Sequence, residues 1–181
     1  MGSKTLSPVF VDAAHDTPLG TVWAAVSDYG LVAVEIQFSA GAMIQSIQRH
    51  GYRVVGFDSA RLSAILSQLK EYLEGRRQAF GIPIDWSGFT PFQVQALQAT
   101  YAIPYGQTRT YAELARQIGR PRAARAVGRA EATNPMPLVI PCHRVLGTDG
   151  KLHGYGGGNG LETKAWLLAM EGAGREIARR E

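Results

Sequence analysis

The sequence predicts an α+β protein in two parts, a small mixed α/β unit over residues 1–88 and a helical unit over residues 89–181. Three observations predict it. β-Rich runs broken by turn signals fill Pro8 to Gln37, helix-spaced apolar residues with cap signals dominate from Thr90 onward, and the surplus of positive charge lies in the second half. At 181 residues and 45% apolar content the chain is long enough to bury a core. Residues 1–89 carry seven Lys/Arg against eight Asp/Glu, whereas residues 90–181 carry twelve against seven. A basic surplus confined to one part suits a polyanionic partner, although a bias of this size also occurs on an ordinary soluble surface.

In chain order, the turns Thr17-Pro18-Leu19-Gly20 and Asp28-Tyr29-Gly30 divide Pro8 to Gln37 into an antiparallel meander. A helix is expected from about Ala42 to His50 and a short strand over Tyr52 to Phe57. A longer helix follows, capped by Asp58 or Ser59, with Leu62, Ile65, Leu66, Leu69 and Tyr72 at helical spacing and Gly75 at its end. Phe80 to Trp86 reads as a last strand, and Ser87-Gly88 as the boundary. Beyond it, Thr90 caps a helix with Pro91 at the first position. Helices are then expected over Thr110 to Ile118, and from near Pro121 to about Ala132, split by a turn containing Gly119. That pair reads as a helix-turn-helix.

The second helix of the pair is unusually basic. Arg116, Arg120, Arg122, Arg125 and Arg129 fall in a stretch without an acid. Arg122, Arg125 and Arg129 stand at i, i+3 and i+7 and share one face on this reading. Ala124, Ala126 and Gly128 keep the helix thin enough to approach a nucleic-acid groove closely, the alternative being a solvated basic face.

The chain has one cysteine, Cys142, too few for a disulfide or a thiolate metal site, so it is either a small buried hydrophobe or a reactive group. It lies in Pro141-Cys142-His143-Arg144, where His143 is a base for the thiol only if Pro141 starts a turn, because strand neighbours point to opposite faces. A histidine base benefits from a carboxylate on its other nitrogen. Glu171 is the candidate: it ends a helix that begins near Glu162, with Trp166 and Leu167 as core, and its charge there opposes the helix dipole. A solvated surface Glu is the alternative. The glycine-rich run Gly154 to Gly160 lacks the spacing of a phosphate loop; a tyrosine among glycines suggests a flat pocket with an aromatic wall, the alternative being a flexible surface loop.

Together these motifs resemble the O6-alkylguanine-DNA alkyltransferases, or methylated-DNA-protein-cysteine methyltransferases. The resemblance spans Phe92 to Gly172 and rests on Ile103-Pro104-Tyr105-Gly106, Tyr111 with Glu113-Leu114-Ala115, Arg125-Ala126-Val127-Gly128, Asn134-Pro135, Ile140 to Val145, Gly154-Tyr155 and Glu171-Gly172. The N-terminal half is similar only loosely. By resemblance the first unit is ribonuclease H-like and the second winged-helix-like. The implied activity is direct, stoichiometric and irreversible transfer of the alkyl group from O6-alkylguanine, with O4-alkylthymine an open case, to Cys142. The resemblance makes His143 the base through a water, Glu171 its orienting group, and Asn134 a brace for the site. It makes Tyr111 a donor to the flipped guanine that also crowds the backbone, Arg125 the finger that replaces the extruded base, and Tyr155, with Gly156 and Gly157, the pocket wall. The implied partner is double-stranded DNA, entered through the minor groove by the helix carrying Arg122, Ala124, Arg125, Ala126, Gly128 and Arg129. A degenerate groove code suits a protein that must find damage anywhere.

Two departures stand out. Gly156 replaces a serine that some members place beside the pocket tyrosine, and no cysteine remains for the zinc that some relatives hold, so neither metal nor cofactor is expected. The competing readings are a non-catalytic damaged-DNA-binding protein, a helix-turn-helix regulator with a structural cysteine, and a cysteine hydrolase. A monomer is expected, with cooperative loading on DNA left open. The absence of an apolar span and of a basic, then apolar, leader predicts a cytoplasmic protein without membrane contact.

Overall fold

The computed structural model describes residues 7–173. The chain divides into two compact units, residues 1–88 and residues 89–181. In the first, β1 (Ser7–Thr17), β2 (Gly20–Val26) and β3 (Leu31–Ile36) form the expected antiparallel meander. After α1 (Ala40–Arg49), β4 (Tyr52–Phe57) joins the free edge of β1 in parallel, giving the order β3-β2-β1-β4. A parallel neighbour requires a crossover, which α1 supplies. α2 (Ser59–Leu73) follows, its N-terminus capped by Asp58, and packs on β1 and β2. Period-two alternation sends Val9 and Val11 of β1, with Trp23 and Ala25 of β2, against Met43 and Ile47. Phe80 to Trp86 is not a strand. Only Ile84 bridges to Leu31, between hydrogen bonds from Leu31 N to Pro83 O and from Asp85 N to Leu31 O. Pro83 has no N–H to continue a ladder, which limits the pairing to one bridge.

The second unit is helical with one small ladder. α3 (Pro91–Tyr101) opens on a capping box in which Thr90 and Gln93 satisfy each other's backbone. α4 (Tyr111–Gln117) begins the same way at Thr110 and Glu113. α5 (Ala124–Ala132) follows, and Ala96, Ile103, Leu114, Val127 and Ala130 form the core among these helices. β5 (Arg109–Thr110) pairs in parallel with β6 (Val145–Leu146), tying the start of α4 to the segment after Cys142. α6 (Leu161–Met170) closes the described chain. Leu167 is core as expected, but Trp166 is exposed: one position earlier on the helix it faces away from Leu167 and Leu168. Among the described residues no helix is long and apolar enough to cross a membrane.

α5 starts three residues later than expected. Pro121 and Arg122 form a turn in which Ala123 N donates to Arg120 O, and Ala123 caps the helix without a side-chain hydrogen bond. Arg122 therefore precedes the helix and does not extend a stripe with Arg125 and Arg129. The helix does not begin near Pro121 because no side chain before it caps a helix there.

Candidate active site

The apolar run Pro137 to Ile140 is a turn. Leu138, buried, adopts a left-handed φ of 76°, a strained conformation for a branched side chain. The turn is held by Asn134, whose Oδ1 accepts from Met136 N at 3.0 Å and whose Nδ2 donates to Ile140 O at 2.9 Å. From there Cys142–Arg144 form a single 3-10 turn that opens at Pro141. This turn is what allows Cys142 and His143 to serve one site.

His143 and Glu171 are both buried, and Nε2 of the ring lies 2.9 Å from Oε1 of the carboxylate. Arg144, a residue the sequence did not single out, grips the same carboxylate from Nε at 2.9 Å and Nη2 at 2.8 Å, and its Nη1 donates to Ile103 O. The Gly106 amide adds a bond to Oε2 at 3.1 Å. Gly106 must be glycine. Its φ is +74°, and a Cβ there would stand 2.9 Å from Glu171 O. Glu171 thus caps α6 from outside solvent, and its clash with the helix dipole is outweighed by four donors.

Cys142 opens on a pocket of about 590 Å³. Tyr111 from α4, Arg125, Gly128 and Glu131 from α5, and Tyr155 from the glycine-rich segment share its lining. The Tyr111 ring passes over Gly128, where a Cβ would lie 3.7 Å from Cδ1. Tyr155 meets the His143 ring edge-on at 6.4 Å between centroids. Gly154 is in the lining, but Gly156 and Gly157 are not, the former facing solvent and the latter buried. Arg125, Arg122 and Arg129 are exposed; only Arg125 lies on this pocket, while Arg122 and Arg129 border separate hollows. Ala124 lines the pocket and Ala126 does not.

Comparison with known proteins then decides the family. Residues 91–173 match the model of the 6-O-methylguanine DNA methyltransferase DNA binding domain, and residues 11–86 that family's ribonuclease-like domain. The methylated-DNA--protein-cysteine methyltransferase of Shigella flexneri is 40% identical over 86% of this chain and 92% of its own. The chain belongs to this alkyltransferase family. Among solved structures, the O6-methylguanine methyltransferase of Mycobacterium tuberculosis is similar with a TM-score of 0.74 at 36% identity, covering 91% of this chain and 93% of that one. The same organism's OGT in complex with DNA gives 0.72 at 34%, covering 92% and 93%. The protein is an alkyltransferase that reverses DNA alkylation by moving the alkyl group to cysteine, with DNA as its partner, and its fold is the family's mixed α/β unit followed by a helical DNA-binding unit.

The electrostatics of the alkyltransferase site are governed by burial of its ionisable groups. Burial pushes the Cys142 thiol up to about 12, and the nearby Glu131 adds to the rise; the hydrogen bond from Asn134 and the charge of Lys164 pull the other way without cancelling it. Burial also lowers the pKa of His143, against the raising effect of Glu171, so the imidazole is neutral at pH 7. For Glu171 itself burial alone would raise the pKa, but the bonds from His143 and Arg144 hold it at about 2. It is a carboxylate, so His143 Nε2 carries the proton and Nδ1 the lone pair. Burial likewise keeps Tyr111 protonated, near 12. Two groups of this cluster escaped the sequence reading: Lys164, buried with Nζ on Val145 O at 2.7 Å and His153 O at 2.9 Å, and Glu131. Each stands on the inward face of its helix, Glu131 with Val127 and Ala130, Lys164 with Leu167 and Leu168. Among the described residues no three His, Cys, Asp or Glu side chains cluster as metal ligands would.

Proposed function

We propose that Cys142 is the alkyl acceptor and that Glu171, His143 and a water form the relay that removes its proton once damaged DNA is seated. The observation that carries this reading is the buried Glu171 carboxylate fixing the adjacent histidine in one tautomer, beside the only cysteine at the base of the pocket. Burial and the neighbouring Glu131 hold the Cys142 thiol protonated at pH 7, so the thiolate is formed only as the base acts on it. Deprotonation then coincides with attack: the proton passes through water to His143 Nδ1, the sulfur–carbon bond forms, and the carbon–oxygen bond to guanine breaks. The electron pair stays on the departing base, where the Tyr111 hydroxyl, held protonated, donates to a ring nitrogen. The resulting thioether has no easy hydrolysis, which makes the transfer stoichiometric and irreversible.

In this reading the base reaches the pocket by flipping. Arg125, exposed on the rim at the first turn of α5, fills the space that the base leaves, and α5 lies in the minor groove, where Ala124, Ala126 and Gly128 permit close approach. Arg122 and Arg129 contact phosphates on either side. Asn134 keeps the sulfur in place by bracing the turn, and Tyr155 closes one wall, followed by Gly156 and Gly157, which lie outside the pocket lining. The protein works as a monomer within the cytoplasm. The test is Cys142→Ala with a duplex that carries one O6-methylguanine: binding persists and repair of the base is lost. Repair that survives the substitution would remove Cys142 from the acceptor role.

A further inference from the structure

Glu131 lies on the inward face of α5, one turn beyond Val127, where the helical period calls for an apolar residue. It is buried, and it lines the pocket that holds Cys142. One carboxyl oxygen, Oε1, accepts from Thr100 Oγ1 at 2.7 Å. The other, Oε2, is buried without a hydrogen-bond partner. Lys164, whose charge acts on this carboxylate, donates from its ammonium to the backbone carbonyls of Val145 and His153. A carboxyl placed so costs stability and is not needed to fill the volume, which points to a role in the pocket itself.

We propose that Glu131 is a specificity-determining residue: its carboxyl sets the charge of the pocket wall near the sulfur and so selects uncharged alkyl groups over anionic ones. This rests on the reading of Cys142 as acceptor. The groups that face it are Cys142 on the 3-10 turn, Tyr111 on α4, Thr100 on α3 and Lys164 on α6, with Arg125 at the rim of its own helix and Asp149 and His153 farther along the pocket. Burial lifts its pKa to about 7, the bond from Thr100 and the charge of Lys164 offsetting only part of the rise. Below that pH the wall is a neutral acid that tolerates a carboxylate-bearing adduct. Above it the wall is anionic in a medium of low dielectric, and a second carboxylate is repelled.

The test is a pair of single-turnover rates, for duplexes containing O6-methylguanine and O6-carboxymethylguanine, at pH 6 and pH 8.5. The adduct's carboxylate is ionised at both values, and the thiol, the histidine relay and DNA binding are common to both substrates, so the ratio of rates reports the charge around the sulfur; Lys164, lowered by burial to about 8, also titrates in this range, and the Glu131 variants separate the two. The preference for methyl over carboxymethyl is expected to rise about tenfold from pH 6 to pH 8.5 in the natural protein. In Glu131→Gln and in Glu131→Met, which keep the side-chain length, the tenfold rise is lost and the ratio stays near its low-pH value; Glu131→Asp retains the rise. A flat ratio in the natural protein overturns the proposal, as does an unchanged dependence in either variant. Failure of the natural protein to react with O6-methylguanine would instead strike at the acceptor role of Cys142.

Discussion

Glu171 is the residue on which the site turns. It receives His143, both arms of Arg144 and the Gly106 amide, all out of solvent. Glu171→Gln leaves Arg144 buried without its counter-charge and permits the wrong histidine tautomer. The expected result is a loss of about 3–5 kcal/mol in denaturant unfolding and a fall of about 100-fold or more in the transfer rate. The same carboxylate links stability to pH. Its folded pKa, about 2, is below the ordinary 4.5, so its contribution is present above pH 4.5 and is lost as pH falls towards 2. That contribution is about 3 kcal/mol at its full value, and acid titration of the unfolding free energy of natural protein against Glu171→Gln measures it. In the sequence, Glu171 is legible as a charge at the unfavourable end of a helix and through the closing Glu171-Gly172 motif of the family resemblance. Arg144 was not legible, because its partner lies 27 residues on and only the tertiary fold buries both.

Helices and turns deliver these side chains. Where a helix boundary depends on neighbours in sequence, the residues announce it: Thr90 with Gln93, Asp58 with Arg61 N, Thr110 with Glu113. Thr90→Ala is expected to lower stability by about 1 kcal/mol with transfer unchanged, as chemical denaturation and a rate assay would show. Gly106→Ala is a different case, since the added methyl meets the Glu171 backbone in a left-handed turn; about 2 kcal/mol of stability and much of the transfer rate go together. α5 starts later than the sequence predicts because Pro121 fits both a helix start and the turn it occupies, and the only local signal against the start is the absence of a capping side chain at Gly119-Arg120. The consequence is functional. Arg125, not Arg122, stands in the first turn of α5 at the pocket rim, and Arg125→Ala is predicted to slow repair in duplex DNA by about tenfold or more while sparing reaction with free O6-alkylguanine. Equal slowing on both substrates would contradict its role in base extrusion.

At the scale of the molecule, every residue of the candidate site lies in residues 89–181, where the Lys/Arg surplus also lies. Binding to duplex DNA is therefore expected to weaken linearly in log K against log salt, and Arg129→Ala to reduce the slope by about one while leaving reaction with the free base intact. A slope unchanged by that substitution would show that Arg129 meets no phosphate. The helical unit could be read from sequence because its chemistry sits in short motifs. The sheet order could not: the parallel β1 and β4 pairing joins segments about 45 residues apart, and period-two alternation fixes which face is buried but not which neighbour is paired. The helical period places Glu131 inward beside Val127, but that its carboxylate shares a pocket with Cys142 and Lys164 is a property of the packed helices and not of any one of them.

The central claim is that one sulfur takes one alkyl group. Intact-protein mass spectrometry after incubation with a duplex containing a single O6-methylguanine, followed by peptide mapping across Pro141-Cys142-His143, tests it most directly. The mass is predicted to rise by one methyl, on Cys142, and to saturate at one per molecule in an excess of damaged DNA. A methyl on any other residue, continued turnover beyond one lesion per protein, or bound DNA with no mass gain would contradict the account.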